Sequence, residues 1–142
     1  MGPLVMLALC CALGSALCSG CGGPKTFPVA GRVAFADGEV VQSGKIEFRG
    51  VDHRWTAVGD IDRQGRFELR SLDGVEGVPA GRYDVVVVQV IMTEDLSLAA
   101  HNHGRLVPPK YADYFTSGLQ VDVSESNARS ISIALEVPPK TR

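Results

Sequence analysis

The side chains able to do chemistry are few and unevenly placed. The three histidines are His53, His101 and His103. On a strand, His101 and His103 would share one face, which is how a transition-metal site begins. Asn102 and Gly104 mark a loop instead, and no third ligand has a defined position, so two loop histidines without a metal are expected. Asp60, Asp62 and Gly65 place oxygen atoms at alternate positions around a glycine turn, as a calcium loop does. The twelfth position counted from Asp60 is Ser71, where such a loop needs a bidentate Glu, so these residues read as a turn between two strands. Glu94 and Asp95 are neighbours whose side chains point apart on an extended chain, which disfavours a shared acid and base role. No Gly-x-Ser-x-Gly elbow or Ser-x-x-Lys motif accompanies the serines. The expectation is a chain with no catalytic residue, no cofactor and no bound metal.

Cysteine chemistry is confined to the beginning. Cys10, Cys11, Cys18 and Cys21 all fall within the first 21 residues, so neither a disulfide framework nor a cysteine nucleophile belongs to the remainder. Met1 to Gly20 carries no charged side chain, and its apolar run from Pro3 to Leu17 is too short for a membrane span and breaks into Ser19-Gly20-Cys21-Gly22-Gly23-Pro24. Such a run is the apolar region of a secretory signal. Leu17-Cys18-Ser19-Gly20-Cys21 resembles the lipobox of bacterial lipoproteins, in which small residues precede the cysteine that accepts diacylglycerol. The resemblance implies cleavage before Cys21 and acylation there, palmitate among the chains; a cut at Cys18 would set the bulky Leu17 beside the scissile bond. The expected organisation is a signal peptide over 1–20, a lipidated tether over 21–27 and one domain over 28–142.

The elements that must position anything else follow a period of two. Alternation marks seven segments: 29–35, 45–49, 55–61, 66–70, 82–92, 119–123 and 131–137. Lys45, Glu47 and Arg49 point away from Ile46 and Phe48, and Phe67 and Leu69 lie opposite their charged neighbours. Val85-Val86-Val87-Val88 lacks alternation, which places it at the middle of a sheet covered on both sides. Ser124 to Ala128 reads as a hairpin-like connection. No helical period of useful length appears, and the fold expected is all-β, a seven-stranded antiparallel β-sandwich.

Three phrases carry a further likeness. Val29-Ala30-Gly31-Arg32-Val33, Asp60-Ile61-Asp62-Arg63-Gln64-Gly65-Arg66-Phe67 and Val78-Pro79-Ala80-Gly81-Arg82-Tyr83-Asp84-Val85 resemble, in order and spacing, the carboxypeptidase regulatory-like domain with its transthyretin-like (prealbumin-like) sandwich. The resemblance covers roughly 28–90, and the stretches 106–111 and 116–119 are similar to the later part of small bacterial lipoproteins built on that domain. It implies an accessory or binding module without catalytic activity.

With 14 basic and 16 acidic side chains, and the basic ones spread singly, nothing points to nucleic acid. The expected function is a lipid-anchored binding or structural module of the cell envelope, held on the extracytoplasmic side of the cell membrane or outer membrane, with an envelope protein or glycan as partner. The segment from Thr93 to Ser117 is longer than a compact domain needs, so His101, His103, Tyr111, Tyr114 and Phe115 are the candidate partner-binding residues, on a loop the fold could spare. Two rivals remain: an envelope hydrolase or metal-dependent enzyme if His53, His101 and His103 converge with a carboxylate, and a carbohydrate-binding module if Trp55, Tyr111 or Tyr114 forms an exposed aromatic platform.

Overall fold

A computed structural model describes residues 22–89 and 104–139. Cys21, the signal segment, His101 and His103 lie outside the described residues. The fold is all-β, with ten strands among the described residues: β1 (Thr26–Phe27), β2 (Ala30–Phe35), β3 (Gly44–Gly50), β4 (Thr56–Ile61), β5 (Arg66–Glu68), β6 (Arg70–Ser71), β7 (Val78–Pro79), β8 (Gly81–Val88), β9 (Leu119–Val123) and β10 (Ile131–Leu135). A larger sheet runs β6-β4-β3-β8-β9, a smaller one β10-β2-β5, and β1 pairs with β7 alone. The inward residues of the two main sheets meet in one core. Val33, Phe35, Phe67, Ile133 and Leu135 come from the smaller sheet and Ile46, Phe48, Tyr83, Val85 and Val87 from the larger. The Phe48 and Phe67 rings touch across the layers at 5.9 Å between centroids.

Each of the seven alternating segments carries strand, and three two-residue strands add to them. Four expectations need correction. The sheets are not purely antiparallel: β10 lies parallel to β2, with Ile131 opposite Gly31 and Leu135 opposite Phe35. Ser124 to Ala128 is accordingly no hairpin, because β9 pairs with β8 in one sheet and β10 with β2 in the other. Asn127 makes this crossing, its Oδ1 accepting from the Ser124 amide at 2.8 Å and its Nδ2 donating to the Asp122 carbonyl at 2.8 Å. The segment 66–70 is divided, since β5 belongs to the smaller sheet and β6 to the larger, with Leu69 buried where the chain passes between them. The middle place in the larger sheet belongs to β3, and β8 lies between β3 and β9.

Each of the three phrases performs a physical task. Gly31 faces the backbone of β10 so closely that a Cβ there would collide with the Ile131 carbonyl. Asp62 closes the β4–β5 turn by accepting from the amides of Gln64 and Arg66, both at 2.8 Å, while Gly65 takes the left-handed conformation at φ 76°. Tyr83 enters the core at the start of β8 and its hydroxyl donates back to the Pro79 carbonyl at 2.9 Å. Burial raises the Tyr83 phenol to a pKa of about 12.

The segment 104–118 is part of this architecture rather than a spare loop. Arg105 reaches Asp37 at 2.8 Å and Glu39 at 2.6 Å in the β2–β3 connection and lies over the Phe35 ring. Pro108 leads into a 3₁₀ turn (Pro109–Ala112), followed by one helical turn, α1 (Tyr114–Ser117). Ser117 is buried and donates to the Val85 carbonyl. The segment thus occupies the flank of β8 beyond the reach of β9, which pairs only with the stretch from Gly81 to Val85.

Candidate binding groove

The outer face of the smaller sheet carries a groove of about 760 Å³. Its floor is the backbone and small side chains of Ala30, Gly31, Ser130 and Ser132, and its walls bear Arg32, Arg66, Arg70 and Arg129 with Asp60, Asp62 and Glu68. Strand register explains the crowding of arginines. Arg32 on β2 stands directly opposite Arg66 on β5, and Ser132 on β10 flanks Arg32 on the other side. Like charges directly opposed on antiparallel strands repel. The β4–β5 turn relieves part of this: Arg66 Nε donates to Asp62 Oδ2 at 2.8 Å, and Arg32 Nε donates to the Gln64 carbonyl at 3.1 Å.

The acids of the groove are mostly engaged. Asp62 is held below the ordinary carboxylate range first by the Arg66 amide, with the Arg66 guanidinium contributing. Asp60 turns to Lys45 at 2.6 Å, and that ammonium, with a smaller contribution from the Arg70 charge, holds its carboxyl low. Arg70 and Arg129 form no ion pair or hydrogen bond through their guanidinium groups among the described residues. The groove therefore offers free guanidinium donors beside serine hydroxyls, an arrangement suited to carboxylates, phosphates and hydroxyl-rich chains.

Sequence reading missed this site. The arginines are up to 97 residues apart (129 − 32), and read singly they look like solvated surface; only the register brings them together. The one local signal is Arg32 and Arg66, each outward beside an inward Val33 or Phe67.

The aromatic candidates divide. Tyr111 is 2% exposed, a core residue whose hydroxyl accepts from the Glu136 amide at 2.8 Å, so its ring offers nothing to a partner. Tyr114 lies half-buried on the outer face of the larger sheet, under the Arg49 guanidinium at 3.7 Å and donating to Glu47 Oε1 at 2.8 Å. Burial is the main reason its phenol is raised well above the usual range. Phe115 is 96% exposed. Trp55 packs half-buried beside a second cleft of about 400 Å³ that also takes in Pro24 and Val51. No aromatic platform thus joins Trp55, Tyr111 and Tyr114. His53 sits in an exposed turn at φ 58°, and no group of three His, Cys, Asp or Glu side chains that could hold a metal occurs among the described residues. No helix among the described residues is long and apolar enough to cross a membrane.

Comparison with models of protein families, with curated proteins and with solved structures finds no match.

Proposed function

We propose that this chain is a lipid-anchored, non-catalytic binding module of the cell envelope, built on a transthyretin-like sandwich and held to a membrane through Cys21. Its ligand face is the groove over β10, β2 and β5, and the ligand is an anionic glycan of the envelope. The observation that carries this reading is the meeting of Arg32, Arg66, Arg70 and Arg129 around a shallow floor of small residues. An open, polar groove whose four arginines outnumber its three carboxylates suits an extended hydroxylated polyanion better than a small apolar molecule.

The test is co-sedimentation with purified peptidoglycan sacculi. The wild-type chain is expected in the pellet, less of it as salt is raised. The Arg70→Glu, Arg129→Glu double variant is expected in the supernatant with an unchanged melting temperature, since neither arginine holds another element. Equal sedimentation of both proteins sinks the groove as the site. A second reading, an envelope protein as partner, is favoured by Phe115, and loss of capture in Phe115→Ser with the arginines intact would move the site there.

A further inference from the structure

Four stretches of chain gather at one end of the sandwich. Pro24 lines a cleft with Val51, Trp55 and Tyr83, the Thr26 hydroxyl donates to the Glu76 carbonyl at 2.6 Å, and Lys25 pairs with Glu125 at 2.9 Å. The β3–β4 turn, the 72–77 loop and the β9–β10 crossing therefore surround the point where the chain enters the fold. This end exposes large parts of three apolar side chains: Val51 at 47%, Leu72 at 62% and Val75 at 43%. The Leu72 amide donates to the Thr56 carbonyl at 2.9 Å, which sets Leu72 beside the residue that follows Trp55.

Lys25 pairs with Glu125, Arg82 with Asp122 and Arg54 lies beside Asp52, while Asp73 and Glu76 of the 72–77 loop and Arg129 of the crossing stand exposed, so the charge here is mixed and apolar tips rather than a basic field would carry any contact.

We propose that this end is a membrane seat: Val51, Leu72 and Val75, with Trp55 beside them, rest in the interfacial layer of the bilayer to which the chain is tethered. The proposal rests on reading Cys21 as the lipid anchor. Four residues lie between Cys21 and Thr26, and at roughly 3.3–3.6 Å per residue the five steps from one to the other hold the first strand within about 18 Å of the lipid even when fully extended. Pro24, which lines one cleft with Val51 and Trp55, shortens that reach. Tryptophan and aliphatic tips are side chains that the interface accepts, and a chain already anchored needs only a weak additional contact to fix its orientation. Seated in this way, the domain turns the arginine groove sideways, along the membrane plane, and points its opposite end outward.

Trp55 is the only tryptophan of the chain and so reports its own depth. The mature protein, purified from membranes, is reconstituted into phosphatidylcholine vesicles with brominated acyl chains, and intact mass determines whether Cys21 is acylated. Trp55 emission is expected to be quenched in the wild type, to the same extent in high salt. In Val51→Asp, Leu72→Asp, Val75→Asp the quenching is expected to fall several-fold with an unchanged melting temperature, and the corresponding triple Ser variant provides the same reading should the Asp variant fold poorly. Leu106→Asp with Phe115→Asp, remote from this end, is expected to leave quenching at the wild-type level. An acylated protein with unquenched Trp55 overturns the seat and leaves the anchor standing. A protein without acyl chains overturns the anchor, and the seat is then decided by the same chain held on nickel-chelating lipid through an N-terminal histidine tag: quenching lost in the triple variant supports it, and no quenching overturns it.

Discussion

The outer faces of the two sheets differ in how their charges meet. Across the larger sheet, Lys45 stands opposite Asp60, Arg49 opposite Asp84 and Arg82 opposite Asp122, while Tyr114 connects Glu47 to the guanidinium of Arg49. Each of these rows is closed by a complementary neighbour. On the smaller sheet Arg32 meets Arg66, and the next row pairs Ala34 with Ala134. Opposite charges across strands stabilise and like charges destabilise, each by a fraction of a kcal/mol. The larger sheet thus pairs most of its charges, although Arg49 Nε is buried without a hydrogen-bond partner, and the smaller keeps guanidinium donors available to something that is not part of the chain. Where a ligand should be sought is decided by this imbalance rather than by the number of charges.

The most severe way to break the comparison is to remove the support of the matched face. Tyr111→Ala deletes a buried ring and leaves the Glu136 amide without its acceptor, and a loss of roughly 3–5 kcal/mol is expected in denaturant unfolding. The same holds for replacing 106–113 by a Gly-Ser linker, which is expected to unfold the domain.

Tyr114→Phe tests the cover of the matched face more gently. It removes the hydroxyl that donates to Glu47 and should cost about 1–2 kcal/mol. Because the folded phenols of Tyr83 and Tyr114 are raised above their unfolded value of about 10, the stability they confer is complete below pH 10 and is lost as pH rises through their folded values. Wild type is therefore expected to lose stability on the alkaline side, and Tyr114→Phe to lose less; an identical alkaline limb in both would argue against this coupling.

Arg32→Glu sharpens the contrast, because it converts the unmatched row into a matched one. The expected outcome is a small gain in stability, up to about 1 kcal/mol, together with loss of sedimentation with sacculi. A variant that binds as before would leave the like-charge row without a function.

Acid gives the smallest and most diffuse effect. Asp60 and Asp122 are held low by Lys45 and Arg82, and Asp37 and Asp62 are likewise lowered, by the Arg105 side chain and the Arg66 amide respectively. Depressed carboxylates contribute stability that is complete above their unfolded value, near pH 4, and disappears as pH falls through the lower folded values. Thermal melts between pH 5 and 2 should fall progressively, and Asp122→Asn should flatten that fall.

Strand positions are legible in the sequence because one buried face imposes a period of two, as Ile46 and Phe48 against Lys45, Glu47 and Arg49 make plain. Alternation carries no direction, however, so it cannot tell that β10 runs parallel to β2, nor that β9 and β10 belong to different sheets. The burial of Tyr111 is equally silent, since it depends on a single ring from an irregular segment with no period to betray it. The groove required the register itself: Arg32 and Arg66 are 34 residues apart (66 − 32) and oppose each other only once the β2–β5 pairing exists.

The parallel pairing of β10 with β2 also governs the order of assembly. Residues that touch there are 100 positions apart, as Ile131 and Gly31 are (131 − 31), so β2 stays without one of its two neighbours until nearly the whole chain has been delivered. Contacts so distant along the chain slow folding, because a very large loop must close before they are rewarded. A chain made from its N-terminus onward therefore cannot complete the smaller sheet until its last strand has arrived.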